Sequence, residues 1–149
     1  MSVAAKDDCV LRLERRLKAK PEKVFAAWIE PDQIANWFGP GDMTIPSREI
    51  DARVGGEWRV TMRGTDGTER IVSGVYREID PPSRLAFTWA WHNDGKRGHE
   101  TEVVVELAPD GEGTLLSLTQ RTFQTANDRD MHNMGWSYSL TGLAELLEA

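Results

Sequence analysis

The sequence predicts an α+β domain in which a curved antiparallel sheet of about six to seven strands wraps a long C-terminal helix, with two short helices after the first strand. Three observations carry this. Short segments of alternating polarity, separated by turn residues, run from about Thr44 to Thr122. Each has one apolar face, the mark of an antiparallel sheet with one side wet. The pattern then changes period: Trp136, Leu140, Leu143 and Leu147 step by four, three and four, one stripe of an amphipathic helix. Finally, strands and helices are segregated along the chain rather than alternating, which favours α+β over α/β.

Each element follows from its residues. Over residues 9–18, Leu11, Leu13 and Leu17 face one way, with Arg12, Glu14, Arg16 and Lys18 opposite, a half-buried strand. Pro21 opens a helix, where its missing N–H costs nothing, and Val24, Phe25 and Trp28 follow at helical spacing. Pro31 opens a second, shorter one with Ile34, Trp37 and Phe38 on its apolar side; Gly39-Pro40-Gly41 ends it. Residues 45–51 form a short strand. Trp58, Val60 and Met62 alternate with Arg59, Thr61 and Arg63, and Asp66-Gly67 predicts a hairpin to a strand over 70–79. Pro81-Pro82 turns the chain. Leu85, Phe87, Trp89 and Trp91 then alternate with Ala86, Thr88 and Ala90, and residues 93–98 read as a loop. Val103, Val105 and Leu107 alternate with glutamates and Val104. Residues 110–113 turn the chain back into Leu116, Leu118 and Gln120. A helix over 128–147 closes the sequence, with Asn127 or Asp128 as N-cap. Gly135 and Gly142 inside it each cost about 1 kcal/mol relative to Ala, which predicts close approach of another backbone.

The 149 residues are the length of one domain, so residues 1–149 are expected to form a single unit with a real core. With 18 basic against 24 acidic residues the net charge is −6. That argues against a nucleic-acid footprint and against an anionic membrane surface. The single cysteine, Cys9, excludes a disulfide framework within the chain, and Asp7 and Asp8 beside it disfavour a thiolate. The first eight residues lack an apolar signal-peptide core, and a soluble, cytoplasmic protein is the expectation. His92, His99 and His132 are the only histidines and show no ligand spacing, so no metal is expected; His92 and His99 are expected to be solvated beside the 93–98 loop. No phosphate loop, nucleophile elbow or dinucleotide fingerprint occurs, and no cofactor is expected. Arg15, Arg16, Arg59 and Arg63 read as a solvated outer face.

The motifs carry a resemblance. Val24-Phe25-Ala26-Ala27-Trp28, followed by Pro31 and Trp37-Phe38-Gly39-Pro40, resembles the N-terminal signature of the START-like (SRPBCC) superfamily. Within it, the chain is similar to the branch named after the C-terminal domain of the activator of the heat-shock-protein-90 ATPase. The similarity continues at Gly55-Gly56-Glu57-Trp58, at Gly74-Val75-Tyr76 through Ile79-Asp80-Pro81-Pro82-Ser83-Arg84-Leu85, and at Phe87-Thr88-Trp89. It ends with Gly113-Thr114, Leu116, Leu118, His132, Gly135-Trp136 and Leu140. The resemblance implies a helix-grip fold, in which a strongly bent sheet grips the C-terminal helix over a deep cavity. Members of the wider superfamily bind lipids, hormones and polyketides, and some catalyse cyclisation. The extra N-terminal domain of the true co-chaperone is expected to be absent, so chaperone stimulation is not directly implied. Gln120 stands where many relatives carry a histidine, so proton chemistry assigned to that histidine does not carry over.

Six tryptophans concentrate the functional expectation. Trp58, Val60 and Met62 on one strand and Phe87, Trp89 and Trp91 on another share inward parity. Trp37, Phe38 and Met43 come from the segment that would cover the mouth of the grip, and His132, Trp136 and Leu140 from the long helix. Val105 completes the apolar set. Aromatics and methionines suit an adaptable apolar pocket, and Tyr76, Gln120 and His132 are the polar groups that would orient a ligand. The expected function is non-catalytic binding of a small, largely apolar or aromatic molecule by a monomer or homodimer. One alternative is a co-chaperone-like, stress-related interaction domain whose partner is a chaperone. The other is a cyclase- or hydrolase-like enzyme on an aromatic or cyclic substrate, using His132 and Tyr76.

Overall fold

The computed structural model describes residues 9–39 and 41–148; Met1 to Asp8, with the two carboxylates expected beside Cys9, and Pro40 of the glycine break lie outside the described residues. The elements are β1 (Val10–Leu17), α1 (Pro21–Ile29), α2 (Pro31–Trp37), β2 (Thr44–Ile50), β3 (Glu57–Arg63), β4 (Glu69–Asp80), β5 (Arg84–Asn93), β6 (Lys96–Arg97), β7 (Thr101–Asp110), β8 (Gly113–Arg121) and α3 (Ala126–Glu148). The strands form one antiparallel sheet in the order β1-β8-β7-β5-β4-β3-β2, with β6 paired to β5. This is the helix-grip α+β fold.

The sheet has eight strands rather than six or seven. The extra one is the two-residue β6, which arises because Asp94 and Gly95 take φ values of 52° and 78°. Both central residues at positive φ define the tight hairpin turn that Asp-Gly favours, so residues 93–98 are a hairpin tip and not an open loop.

Two proline-opened helices cross the grip. Glu30 closes α1 through its N–H to the Ala26 carbonyl and opens α2 by accepting the N–H groups of Gln33 and Ile34. The buried Trp37 indole N–H donates to the Ala27 carbonyl at 2.8 Å, which pins the two helices together. The α3 cap differs from expectation. Thr125 Oγ1 accepts the Asp128 N–H at 3.0 Å, so Thr125 is the N-cap and Asn127 and Asp128 lie within the first turn. Trp136, Leu140, Leu143 and Leu147 are all buried, as the stripe requires. Gly142 lets the Trp37 backbone approach, since a Cβ there would lie 3.3 Å from the Trp37 carbonyl oxygen. Gly135 has no such neighbour within 4 Å; its missing side chain leaves room on the cleft described below.

The bend of the sheet centres on β4 and β5. A Cβ on Gly74 would fall 1.8 Å from the Thr88 carbonyl oxygen, so only glycine admits this crossing. Trp58 donates its indole N–H to that carbonyl at 3.2 Å, and Thr88 Oγ1 accepts the Val75 N–H at 2.8 Å. Side chains thus satisfy backbone groups that the bent ladder leaves open. The register shifts between Tyr76 and Glu78, a bulge that adds to the curvature. Of the four arginines expected on the outer face, one is not there. Arg15 shares parity with Leu11 and Leu17 and reaches α3, donating to Thr141 Oγ1 at 3.2 Å and to the Ser137 carbonyl at 3.4 Å. Arg16, Arg59 and Arg63 point outward and are exposed, Arg63 paired with Glu69.

Candidate functional site

All six tryptophans join one connected cluster of rings inside the grip. Trp89 is its hub, with ring centroids 5.1 Å from Trp136, 5.6 Å from Trp58 and 5.5 Å from Trp91. Phe38 packs across Trp89 at 5.9 Å and Trp136 at 6.0 Å, and so closes over the hub. Indole N–H groups need acceptors when buried. Those of Trp37, Trp58, Trp91 and Trp136 have them, while those of Trp28 and Trp89 have none among the described residues.

The cluster divides the interior into two unequal spaces. A small cavity of about 20 Å³ lies under α2, lined by Trp37, Phe38, Trp58, Val60, Tyr76 and Phe87 among the expected residues. It is the size of one or two water molecules. A cleft of about 520 Å³ opens on the other side of Phe38, between the ends of β3 to β5 and the first half of α3. Phe38, Met43, Met62, Trp89, Trp91, His132 and Trp136 line it. Its size is that of a small-molecule site. Val105, Gln120 and Leu140 border neither space; all three are fully buried.

The polar groups named from the sequence have separate fates. Gln120 Oε1 accepts the Trp136 N–H at 2.8 Å, and its Nε2 donates to Thr101 Oγ1 at 2.8 Å. Both ends are engaged inside the core, which is the role of a brace. Tyr76 packs on Phe87 in the small cavity, where burial, and then the Asp51 charge, pushes its phenol above its ordinary range. His132 sits on the cleft wall. A carbonyl only accepts and an indole N–H only donates, so its tautomer is fixed. Nδ1–H donates to the Asp128 carbonyl at 2.7 Å and Nε2 accepts the Trp91 N–H at 2.9 Å. Burial lowers the pKa of the ring first of all; Arg70 lowers it further, and Asp128 opposes. His132 and Tyr76 border different spaces, so the structure does not bring the two together.

Of the two histidines expected in solvent, His92 is half-buried with Nε2 2.8 Å from Ser73 Oγ, while His99 is exposed on the cleft rim and contacts the Thr122 carbonyl at 2.5 Å. Thr122 has φ +73°, uncommon for a β-branched residue, and the turn it makes carries Phe123 under His132 at 4.9 Å.

Sequence reading missed several wall residues. Arg70 alternates in phase with Val72 and Tyr76, so parity alone places it inward; its guanidinium lies 4.1 Å from the Trp91 ring centroid. Met131, Met134 and Tyr138 form a second stripe on α3, at helical spacing, and are 62%, 64% and 59% exposed along the cleft. Among the described residues, no group of three or more His, Cys, Asp and Glu side chains is placed to hold a metal ion. No helix among them is long and apolar enough to cross a membrane.

The comparisons agree with the fold. A protein from Chromobacterium violaceum superposes with a TM-score of 0.87 at 31% identity, covering 95% of this chain and 98% of that one. An AHSA1 protein from Silicibacter pomeroyi gives 0.87 at 32% identity, over 93% of this chain and 97% of that one. A Nitrosomonas europaea protein gives 0.83 at 27% identity, over 97% of both. Comparison with curated proteins finds no match. The model of the family described as Activator of Hsp90 ATPase homolog 1-like protein matches residues 18–148, and the chain belongs to that family, within the START-like superfamily.

Proposed function

We propose that this chain is a binding module that holds a small, largely apolar molecule in the 520 Å³ cleft and performs no covalent chemistry on it. The observation that supports this is the cleft itself: an open, drug-sized space walled by Trp89, Trp91, Trp136, Met62 and Met43. A core free to collapse would fill such a volume. Aromatic walls offer flat apolar contact, and methionines adapt to irregular shapes.

Native mass spectrometry of freshly purified protein tests it first, through a co-purifying small molecule. A titration with the apolar dye N-phenyl-1-naphthylamine tests it second. Trp89→Ala is expected to weaken dye binding about tenfold, the worth of roughly one aromatic contact. Arg63→Ala, on the opposite face of the sheet, is expected to leave it unchanged. Equal effects from two folded variants, or no dye binding by the parent, would refute the cleft as the ligand site.

A second reading has its own observation. Met131, Met134 and Tyr138 leave an apolar stripe exposed on α3, and exposed apolar patches mark docking surfaces. Under this reading the domain docks a chaperone, as the family description suggests. Capture of the chaperone with stimulation of its ATPase, lost on Met134→Asp, would favour it.

A further inference from the structure

We infer that the cleft selects an apolar acid: a molecule with an apolar body and one carboxylate, held at the rim by Arg70. This rests on the reading of the cleft as a ligand site and adds the chemical class of the ligand. Among the described residues, Arg70 is the only lysine or arginine on the cleft wall. It lies on β4 opposite Met62, on the inward parity, and stacks over Trp91 with its guanidinium carbon 4.1 Å from the ring centroid. Stacking fixes the plane of the guanidinium and leaves its edge, with the N–H groups, to be satisfied.

Among the described residues no carboxylate or carbonyl pairs with Arg70. The contrast with Arg15 is direct. That arginine also faces inward, but Thr141 and Ser137 of α3 accept its N–H groups. Arg48, Arg53, Arg63, Arg84 and Arg97 each have a carboxylate within 2.9 Å. An arginine stacked on an indole at the mouth of an apolar cleft is a planar fork aimed at a planar anion, and a carboxylate matches it in two parallel hydrogen bonds.

Trp89, on the cleft wall, also has an indole N–H without an acceptor among the described residues, but that nitrogen is buried out of a ligand's reach, so the recognition of charge falls to Arg70. Opposing Arg70 is Asp128, the one carboxylate on the wall among the described residues. It occupies the first turn of α3, where the positive end of the helix offsets its charge. The net charge of −6 repels anions at long range, but screening confines that repulsion to about 8 Å at physiological salt, so the nearest cation decides.

The test compares two competitors of one shape, 2-naphthoate and its neutral amide, 2-naphthamide, displacing N-phenyl-1-naphthylamine from the parent protein and from Arg70→Met. Methionine keeps an apolar stem and removes the charge. The quantity read is the ratio of the two competitors' affinities within each protein. In the parent the acid is expected to compete about tenfold better than the amide, and its advantage to shrink as salt rises. In folded Arg70→Met the ratio is expected to fall to about one, and Arg70→Lys to lie between. Equal competition by acid and amide in the parent overturns the inference while leaving the cleft as an apolar site. So does a preference for the acid that survives Arg70→Met. Failure of the parent to bind the dye or either competitor overturns the ligand-site reading itself, and this inference with it.

Discussion

Trp136 ties α3 to the sheet by two kinds of contact. Its ring packs on Trp89 and Trp28, and its N–H reaches the fully buried Gln120. Trp136→Phe keeps a ring and removes the donor, leaving Gln120 Oε1 buried without a partner; a loss of about 1–3 kcal/mol is expected. Trp136→Ala also opens a cavity and is expected to cost about 3–5 kcal/mol. Urea denaturation measures both, and a loss under about 1 kcal/mol for the alanine variant would mean that α3 does not dock as described. The burial of Trp136 was legible in its helical stripe. Its bond to Gln120 was not, because β8 parity shows only that Gln120 points inward. Whether such a glutamine meets a ligand or an indole depends on where the helix lies above it, which no local pattern encodes.

The existence of α3 was legible and its beginning was not. The stripe from Trp136 to Leu147 fixes a docked face, but the caps expected from the sequence, Asn127 and Asp128, lie past the residue that caps the helix, Thr125. The chain direction leaving β8 decides for Thr125. With Thr122 at φ +73° and Phe123 donating its N–H to the Cys9 carbonyl, the first helical turn is placed at Ala126. Thr125→Ala is expected to cost about 0.5–2 kcal/mol, and Asn127→Ala to stay within about 0.5 kcal/mol of the parent. Thermal melts of the pair check this; the reverse order would place the cap one residue pair later. The hairpin tip at Asp94-Gly95 is a similar case at the level of a strand. The dipeptide signal was present, but β6 is only two residues long and carries no alternation to read.

For the molecule as a whole, the sheet and its gripping helix were legible because every strand but the two-residue β6 carries its own alternation and the turns between them their own chemistry. The cleft was legible only in part. Its wall draws on the ends of four strands, on Phe38, Gly39 and Met43, on Phe123 and Gln124 and on half of α3, and outside α3 each part supplies only one to three residues, too few to form a pattern. The total charge is a sequence property with a direct consequence: at −6 the protein is expected to show no useful affinity for duplex DNA at physiological salt. Salt-sensitive, sub-micromolar retention in a DNA titration would contradict that. Acid stability follows from the interior. His132 is bonded to Trp91 and Asp128 and feels the Arg70 charge, and burial holds its pKa below the ordinary value of 6.5; His92, which feels the charges of Arg59 and Arg97, is lowered too, again by burial first. A histidine whose folded pKa lies below its unfolded one binds fewer protons when folded, so the unfolded state gains as protons become available. The contribution of the neutral ring is therefore complete above the unfolded value near 6.5 and is lost as pH falls from there toward the folded value. Protonation would also set a second ring N–H against the Trp91 N–H, where His132 Nε2 now accepts. Melting temperatures of the parent are expected to fall between about pH 7.5 and pH 5, and His132→Gln, which cannot take up that proton, is expected to lose less over the same interval. Identical pH slopes in the two proteins would show that His132 is not held neutral by its position on the cleft wall.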